Sequence, residues 1–490
     1  MRLKVVTLQG YTQSDSRTEK YLEDRYNIDM EVVALPGFSE VATKVSLMMA
    51  DDNERPDIIW WDTRRMIADF SKWLDAGLLV DLTDYINKYT VIRDYYDSQD
   101  PRIMFYAQSE GGKTYRIPGD ISEPSCETLW IRKDWLDNLG IEVPKTLAEL
   151  EQVMYQFTFN DPDGNGRNDT YGLGGDGYEL RSFWPWLQGS GANRNHYYFD
   201  FTKMPDGTIA YAGSTDDMKL AIGRIAKLYK DGVITPNIVT DTNGNEEMAR
   251  GGFGVIHRWI AWNNPSAVAM RSFYATNPDA LWIPFDPVAG DNGNGQANPE
   301  KLSAWCFFAI TKNCADPERA YAIWDDMVSP DQYIIRRFGI EGQEYVANPD
   351  GSHTILISSQ ANENLANNLG INLFQDLVGR KDFCNIGNTP ETVDLFKRMS
   401  EGSRDSYALV VEKKDPSKYV VWNDLGSEIT DVRDAYLWSV ISGTDSLDNW
   451  DGYLANLKAA GLDEVLEEIN RLYPEEDREM QTYLASRAAR

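Results

Sequence analysis

Within its first 77 residues the chain alternates strand and helix three times, and this rhythm constrains the fold more than any other feature. Leu3–Leu8 reads as a buried strand, followed by a helix opened by Ser14 or Ser16 that carries Tyr21, Leu22 and Tyr26. Asp29–Leu35 is the next strand, stopped by Pro36 and Gly37. From Ser39 a helix places Val41, Val45, Met48 and Met49 at i, i+4, i+7 and i+8, one helical face. Pro56–Asp62 is a third strand, and Thr63 opens a helix with Met66, Ile67, Phe70, Trp73 and Leu74 inward, closed by Gly77. Such alternation predicts a parallel sheet covered by helices on both faces.

The middle of the chain breaks the rhythm. Thr146 and Glu149 form a capping box opening a helix that buries Leu147, Leu150, Val153, Met154 and Phe157. Turns and aromatics follow, then a helix from about Thr215 to Lys230 and a short strand at Gly251–Ile256. Leu281–Asp286 and Leu302–Ile310 read as strands again, and Asp316 with Pro317 caps a further helix. The last hundred residues are mainly helical, with one helix capped at Thr389–Pro390, another around Trp450–Leu457 and an acidic terminal helix after Gly461. At 490 residues the chain is too long for one core. An α/β unit interrupted and later resumed predicts two lobes joined by several crossovers.

Asp161–Asp169 is the sharpest local motif. Oxygen side chains fall at loop positions 1, 3, 5 and 9 (Asp161, Asp163, Asn165, Asp169), Gly166 stands at position 6, and Arg167 offers its carbonyl at position 7. This is the spacing by which a loop wraps one Ca²⁺, a hard cation that takes about six to eight oxygens. Position 12 is Gly172 where a complete loop has Glu, so completion falls to Asp176, Glu179 or water. A metal-free polar turn uses the same residue types. A calcium loop favours an extracellular setting and, directly after a capped helix, a structural role.

The net charge of −29 excludes nucleic acid and anionic membrane surfaces as main partners. No apolar run reaches the length of a membrane-spanning helix. Cys126, Cys306, Cys314 and Cys384 have no metal spacing and read as buried thiols, with one disulfide as the alternative. Three histidines leave little room for a zinc site or a triad, and no nucleophile, phosphate-cradling or dinucleotide motif is present. The chain is therefore read as non-enzymatic.

Several stretches, in order, resemble the family 1 extracellular solute-binding proteins, receptors of carbohydrate ABC importers, and among them the alginate-binding subgroup. They are Pro56–Asp62; Trp130–Ile141 with Pro144–Thr146; Asp161–Asp169 with Tyr171 and Gly172; Asn313–Ala320; Phe338–Gly342; and Trp450–Asp463. One departure is Thr170, where the alginate-binding relatives carry an acidic ligand after the last loop Asp. The resemblance implies an α/β, periplasmic-binding-protein-like, two-lobe (Venus flytrap) fold with discontinuous lobes and a helical C-terminal region. Residues 1–127 and 286–330 would form the first lobe, 128–285 the second with its calcium loop, and 331–490 a helical region completing the second lobe and hinge. It also implies a monomeric receptor that delivers an oligosaccharide to ABC permease subunits. Its location would be extracellular, as a lipoprotein on the outer face of the cytoplasmic membrane, or periplasmic. The family further implies an N-terminal lipid-anchored cysteine; these 490 residues open with a strand instead.

Sugars present flat C–H faces ringed by hydroxyls, so their sites need aromatic plates and planar polar partners. Ligands in open α/β sheets sit at the carboxyl ends of strands, where Trp60, Trp61 and Asp62 fall. Candidate ligand residues are Trp61, Asp62, Arg116 and Asp120 from the first lobe, and Trp184, Trp186, Arg258, Trp259 and Trp262 from the second, with Trp305, Glu341 and Trp422 behind them. Each tryptophan has core packing as its alternative, and Trp60 and Trp61 must face opposite sides of one strand. Two other functions compete: a glycoside-active enzyme, whose carboxylates would stand about 5–9.5 Å apart, and a calcium-dependent lectin or adhesin. The acidity of the chain and the scarcity of candidate cations favour a neutral or weakly charged sugar.

Overall fold

The computed structural model describes residues 1–7, 16–35, 40–119, 127–175, 178–191, 201–239, 250–259, 268–293, 302, 304–349, 353–356, 370, 373–374, 377–378, 394–395, 397–398, 411 and 413–488. The helix expected at Thr389–Pro390 lies outside them, as do Cys126 and Cys384. In chain order the strands that matter here are β1 (Arg2–Thr7), β2 (Asp29–Ala34), β3 (Ile58–Asp62), β4 (Ile117–Pro118), β5 (Glu127–Arg132), β6 (Tyr171–Leu173), β7 (Phe201–Lys203), β8 (Ile209–Tyr211), β9 (Phe253–Trp259), β10 (Trp282–Phe285) and β11 (Cys306–Ile310).

The first sheet runs β2-β1-β3-β11-β4. Its β2, β1 and β3 are parallel, as the opening rhythm predicts, but β11 returns from far along the chain and pairs antiparallel with both β3 and β4. The sheet is therefore mixed. Every residue of β3 is buried, so both faces are covered. On one face Phe70, from the helix Thr63–Asp75, stacks on Trp61; on the other Trp324, from the helix Pro317–Asp326, meets Phe308 edge-on.

The second sheet, β10-β5-β9-β6, is antiparallel except for the parallel pair β6–β9. Its core gathers Leu147, Leu150, Met154 and Phe157 from the capped helix Leu147–Phe159, and Met218, Ile222 and Ile225 from the helix Asp216–Lys230. Local caps form where the spacing places them. Ser16 and Thr146 each make a complete capping box, Thr215 accepts from Met218 N, and Asp316 accepts from Arg319 N.

One element went unread in the sequence. The helix Val420–Ser442 packs Ile429, Leu437 and Val440 into the second core. The acidic terminal helix expected after Gly461 spans Leu462–Ala488 and belongs to both cores: Leu462, Val465, Ile469 and Tyr473 lie in the second, Met480 in the first. It continues through Pro474, although an interior proline removes a backbone donor and costs a helix about 3 kcal/mol. Cys306 and Cys314 are buried, and burial pushes the Cys314 thiol up to about 11, keeping it protonated.

Candidate functional site

The chain passes between the sheets at matching edges. In the first sheet the end of β3 (Asp62) lies opposite the start of β11 (Cys306), and the end of β4 (Pro118) opposite Phe307. In the second, the start of β5 (Glu127) pairs with the end of β9 (Trp259), and the end of β10 (Phe285) with Leu129. Crossovers at these strand ends are where a ligand held between two α/β units would meet both.

The first-lobe candidates divide by burial. Trp60 and Trp61 face opposite sides, and both are fully buried. Trp61 is sandwiched between Phe70 (4.4 Å, 12°) and Phe307 (5.2 Å, 21°), so neither ring face is open. Asp62 is also fully buried. Arg116 is buried with its guanidinium 4.5 Å from the Phe307 ring, 5.5 Å from Phe70 and 5.9 Å from Trp61. It donates to the carbonyls of Tyr106 (2.6 Å), Ala107 (3.2 Å) and Lys414 (3.2 Å). Burial lowers its pKa to about 10, which still leaves it charged at neutral pH. Trp305, half-buried, meets Trp60 edge-on at 5.8 Å. Asp120 lies outside the described residues.

In the second lobe Trp184 and Trp186 meet different partners. Trp186 is fully buried and donates its Nε1 to Glu151 (2.9 Å), a carboxylate that also pairs with Arg224, so it belongs to the core. Trp184 is also buried in the second core and stacks on His257 of β9 with centroids 6.3 Å apart and planes at 19°. His257 is missing from the candidates read in the sequence; its signal was its place on β9, two residues before Trp259. Along the backbone Arg258 pairs with Thr128 and Trp259 with Glu127; their side chains, and Trp262, lie outside the described residues. Trp422 is half-buried, edge-on to Phe201 at 5.0 Å with Lys413 Nζ 4.8 Å from its ring centroid. Glu341 is exposed; burial and this carboxylate together raise the pKa of Tyr345.

The loop 161–169 closes on Asn165. The Asn165 side-chain amide donates to Asp163 (2.8 Å) and Asp169 (3.0 Å), while Asp161 accepts from the backbone N–H groups of Asn165 (3.0 Å) and Gly166 (2.9 Å). Gly164 and Gly166 take positive φ, the turn the spacing predicts. Partial burial, then the nearby Asp161 and Asp169, raise the pKa of Asp163. Three carboxylates and an amide within one turn are the donor set of a hard divalent cation. Among the described residues, however, no three His, Cys, Asp or Glu side chains converge with metal-binding spacing. Thr170 turns inward to donate to the Phe157 carbonyl (2.7 Å). At Gly172 a Cβ would stand 2.6 Å from both Cβ and the carbonyl oxygen of Met154, which explains the missing position-12 side chain.

Residues 9–333 match the model for bacterial extracellular solute-binding proteins. The lipoprotein LipO of Bacillus subtilis (strain 168) is 24% identical over 468 residues, covering 93% of this chain and 88% of LipO. A fructooligosaccharide ABC transporter substrate-binding protein, FusA of Streptococcus pneumoniae serotype 4 (strain ATCC BAA-334 / TIGR4), is 28% identical over 326 residues, 62% of this chain and 56% of FusA. Solved structures share the fold along nearly the whole chain. An alginate-binding protein, AlgQ2, crystallised without calcium ion, superposes with a TM-score of 0.68 at 20% identity, covering 96% of this chain and 98% of its own. An EF-hand mutant of FusA in complex with fructo-nystose gives 0.70 at 19% identity, covering 98% of this chain and 100% of its own. With two α/β lobes whose crossovers meet at their strand ends, and with this family match, the chain belongs to the bacterial extracellular solute-binding proteins.

Proposed function

We propose that this protein captures an oligosaccharide between its lobes and presents it to the permease of an ABC importer, without chemistry of its own. The observation that carries the reading is the pairing of two separate α/β cores through crossovers at their strand ends, in a chain of this family. Trp305 and Trp422, both half-buried, are the described rings best placed to act as sugar plates. Because three carbonyls and three rings occupy Arg116, it adds no free cation for an acidic sugar, which favours a neutral ligand. Arg258, Trp259, Trp262, Asp120 and Glu341 remain proposed ligand residues. A lipoprotein on the outer face of the cytoplasmic membrane fits the match to LipO. Calorimetry against neutral oligosaccharides, including kestose and nystose, and against amino acids and peptides tests the reading. Tight binding of a peptide and of no sugar would overturn it. Trp305→Ala should weaken the best sugar by about 1–3 kcal/mol, the range of a lost aromatic contact, with the unfolding midpoint measured alongside.

The same reading gives the loop one structural Ca²⁺, held by Asp161, Asp163, Asn165, the Arg167 carbonyl and Asp169, which offsets two of their three negative charges. Chelation should lower the melting temperature, by the equivalent of about 2.7 kcal/mol where free calcium stands at 100 times Kd. The raised pKa of Asp163 sets the sign of the pH dependence. Without metal, the folded protein holds this proton more tightly than the unfolded chain, so its contribution is stabilising below the unfolded pKa and is lost as pH rises through the folded one. Calcium must displace that proton. The gap in melting temperature between calcium-loaded and chelated protein should therefore be widest near neutral pH and shrink on acidification. A gap of zero at neutral pH, with no calcium by metal analysis, would remove the ion.

A further inference from the structure

The terminal helix Leu462–Ala488 is fastened to the second lobe on one side of Pro474 and to the first lobe on the other. Before the proline, Asn470 exchanges hydrogen bonds with Ile209 of β8 (3.0 and 3.1 Å), Tyr473 is buried in the second core, and Glu468 caps the helix Val420–Ser442 through Val421 N (2.9 Å) and Trp422 N (3.0 Å). After it, Met480 is buried in the first core, the Tyr483 ring packs on Phe105 at 5.6 Å, and Arg487 pairs with Asp97. Glu476 accepts from Lys414 N and Glu479 from Lys414 Nζ, both at 2.9 Å. Lys414 in turn lies 4.4 Å from the Phe105 ring centroid, and its carbonyl accepts from Arg116 (3.2 Å). The turn Pro416–Lys418 packs on the helix Thr63–Asp75, whereas Tyr419 is back in the second core. The changeover between lobes thus falls at the same place in both segments, beside Pro474.

A continuous helix is stiff because every turn is tied to the next. Proline has no N–H, so the Asn470 carbonyl loses its partner four residues on, and the ring crowds that carbonyl; this is where helices bend. A helix anchored in two bodies must bend, slide or detach when those bodies rotate, and here each end is held by buried side chains. We propose that Pro474 is the pivot at which the terminal helix bends as the lobes open and close, with residues 414–418 and 479–488 moving as part of the first lobe. The proposal rests on the two-lobe architecture alone, not on the identity of the ligand.

The test uses the full chain without ligand, so that a wrong sugar class leaves it untouched. Spin labels on ketone-bearing unnatural residues at Lys72 in the first lobe and Lys230 in the second report the distribution of inter-lobe distances by pulsed dipolar spectroscopy. Hydrogen exchange reports residues 471–478 separately. Pro474→Ala restores the missing donor, stabilises the helix and leaves the ligand candidates untouched. We expect the distance distribution to narrow and exchange across 471–478 to slow at least about tenfold, while exchange at 463–469 stays the same. A distribution that overlays the wild type, or unchanged exchange across 471–478, would overturn the pivot. Failure of the sugar panel would instead overturn the proposed ligand and leave this result standing.

Discussion

Arg116→Ala should lower the unfolding free energy by about 3–5 kcal/mol, the range for stripping a buried charged group from its partners and leaving a cavity. The guanidinium donates to three carbonyls, one of them Lys414, 298 residues away, and fills the space against Phe307, Phe70 and Trp61. Removing it leaves those acceptors without this donor and opens the stack that holds Trp61. Arg116→Lys should recover only part of the loss, because a single ammonium cannot replace a planar fork with several donors. Denaturant unfolding with an unchanged slope is the measurement. A variant that unfolds like the wild type but loses only sugar affinity would return Arg116 to the ligand.

Gly172→Glu, which supplies the carboxylate that a complete calcium loop carries at position 12, is expected to destabilise the protein by about 3 kcal/mol or more and not to tighten calcium binding. A Cβ at Gly172 would lie 2.6 Å from both Cβ and the carbonyl oxygen of Met154 and 2.8 Å from its Cα. Backbone atoms of a packed helix cannot yield as a flexible side-chain tip can, so overpacking falls at the severe end of its range. Gly172 N also donates to the Val233 carbonyl (2.8 Å), which fixes the strand against a second neighbour. Calcium titration and chemical denaturation of the variant decide the matter. A stable Gly172→Glu protein with higher calcium affinity would show that the loop can be completed at position 12.

Much of the fold was legible because its signals are local. The caps at Ser16, Thr146, Thr215 and Asp316 each bond a backbone N–H three residues on, so residue spacing alone encodes them. The turn of the loop 161–169 is equally local, set by Asp and Asn side chains bonding backbone groups within five residues and by glycines at positive φ. The opening strand–helix rhythm likewise foretold the parallel trio β2-β1-β3 and, with the later return of the pattern, the two lobes.

The sequence by itself thus determined where elements begin, which turns bind their own oxygens, and that the chain divides into two α/β bodies. Only the tertiary structure decided which polar and aromatic side chains are spent on packing. Trp61 and Arg116 looked like a sugar plate and its planar partner, but Phe70, Phe307 and the carbonyl of Lys414 enclose them. Trp186 is held by Glu151, whereas Trp184, two residues earlier, lies on His257. The antiparallel entry of β11 between β3 and β4, and the reach of one helix into both cores, also depend on segments hundreds of residues apart. The physical reason is range. Caps and turns are satisfied within a few residues, whereas burial depends on which distant surface arrives to exclude water, and no spacing along the chain records that.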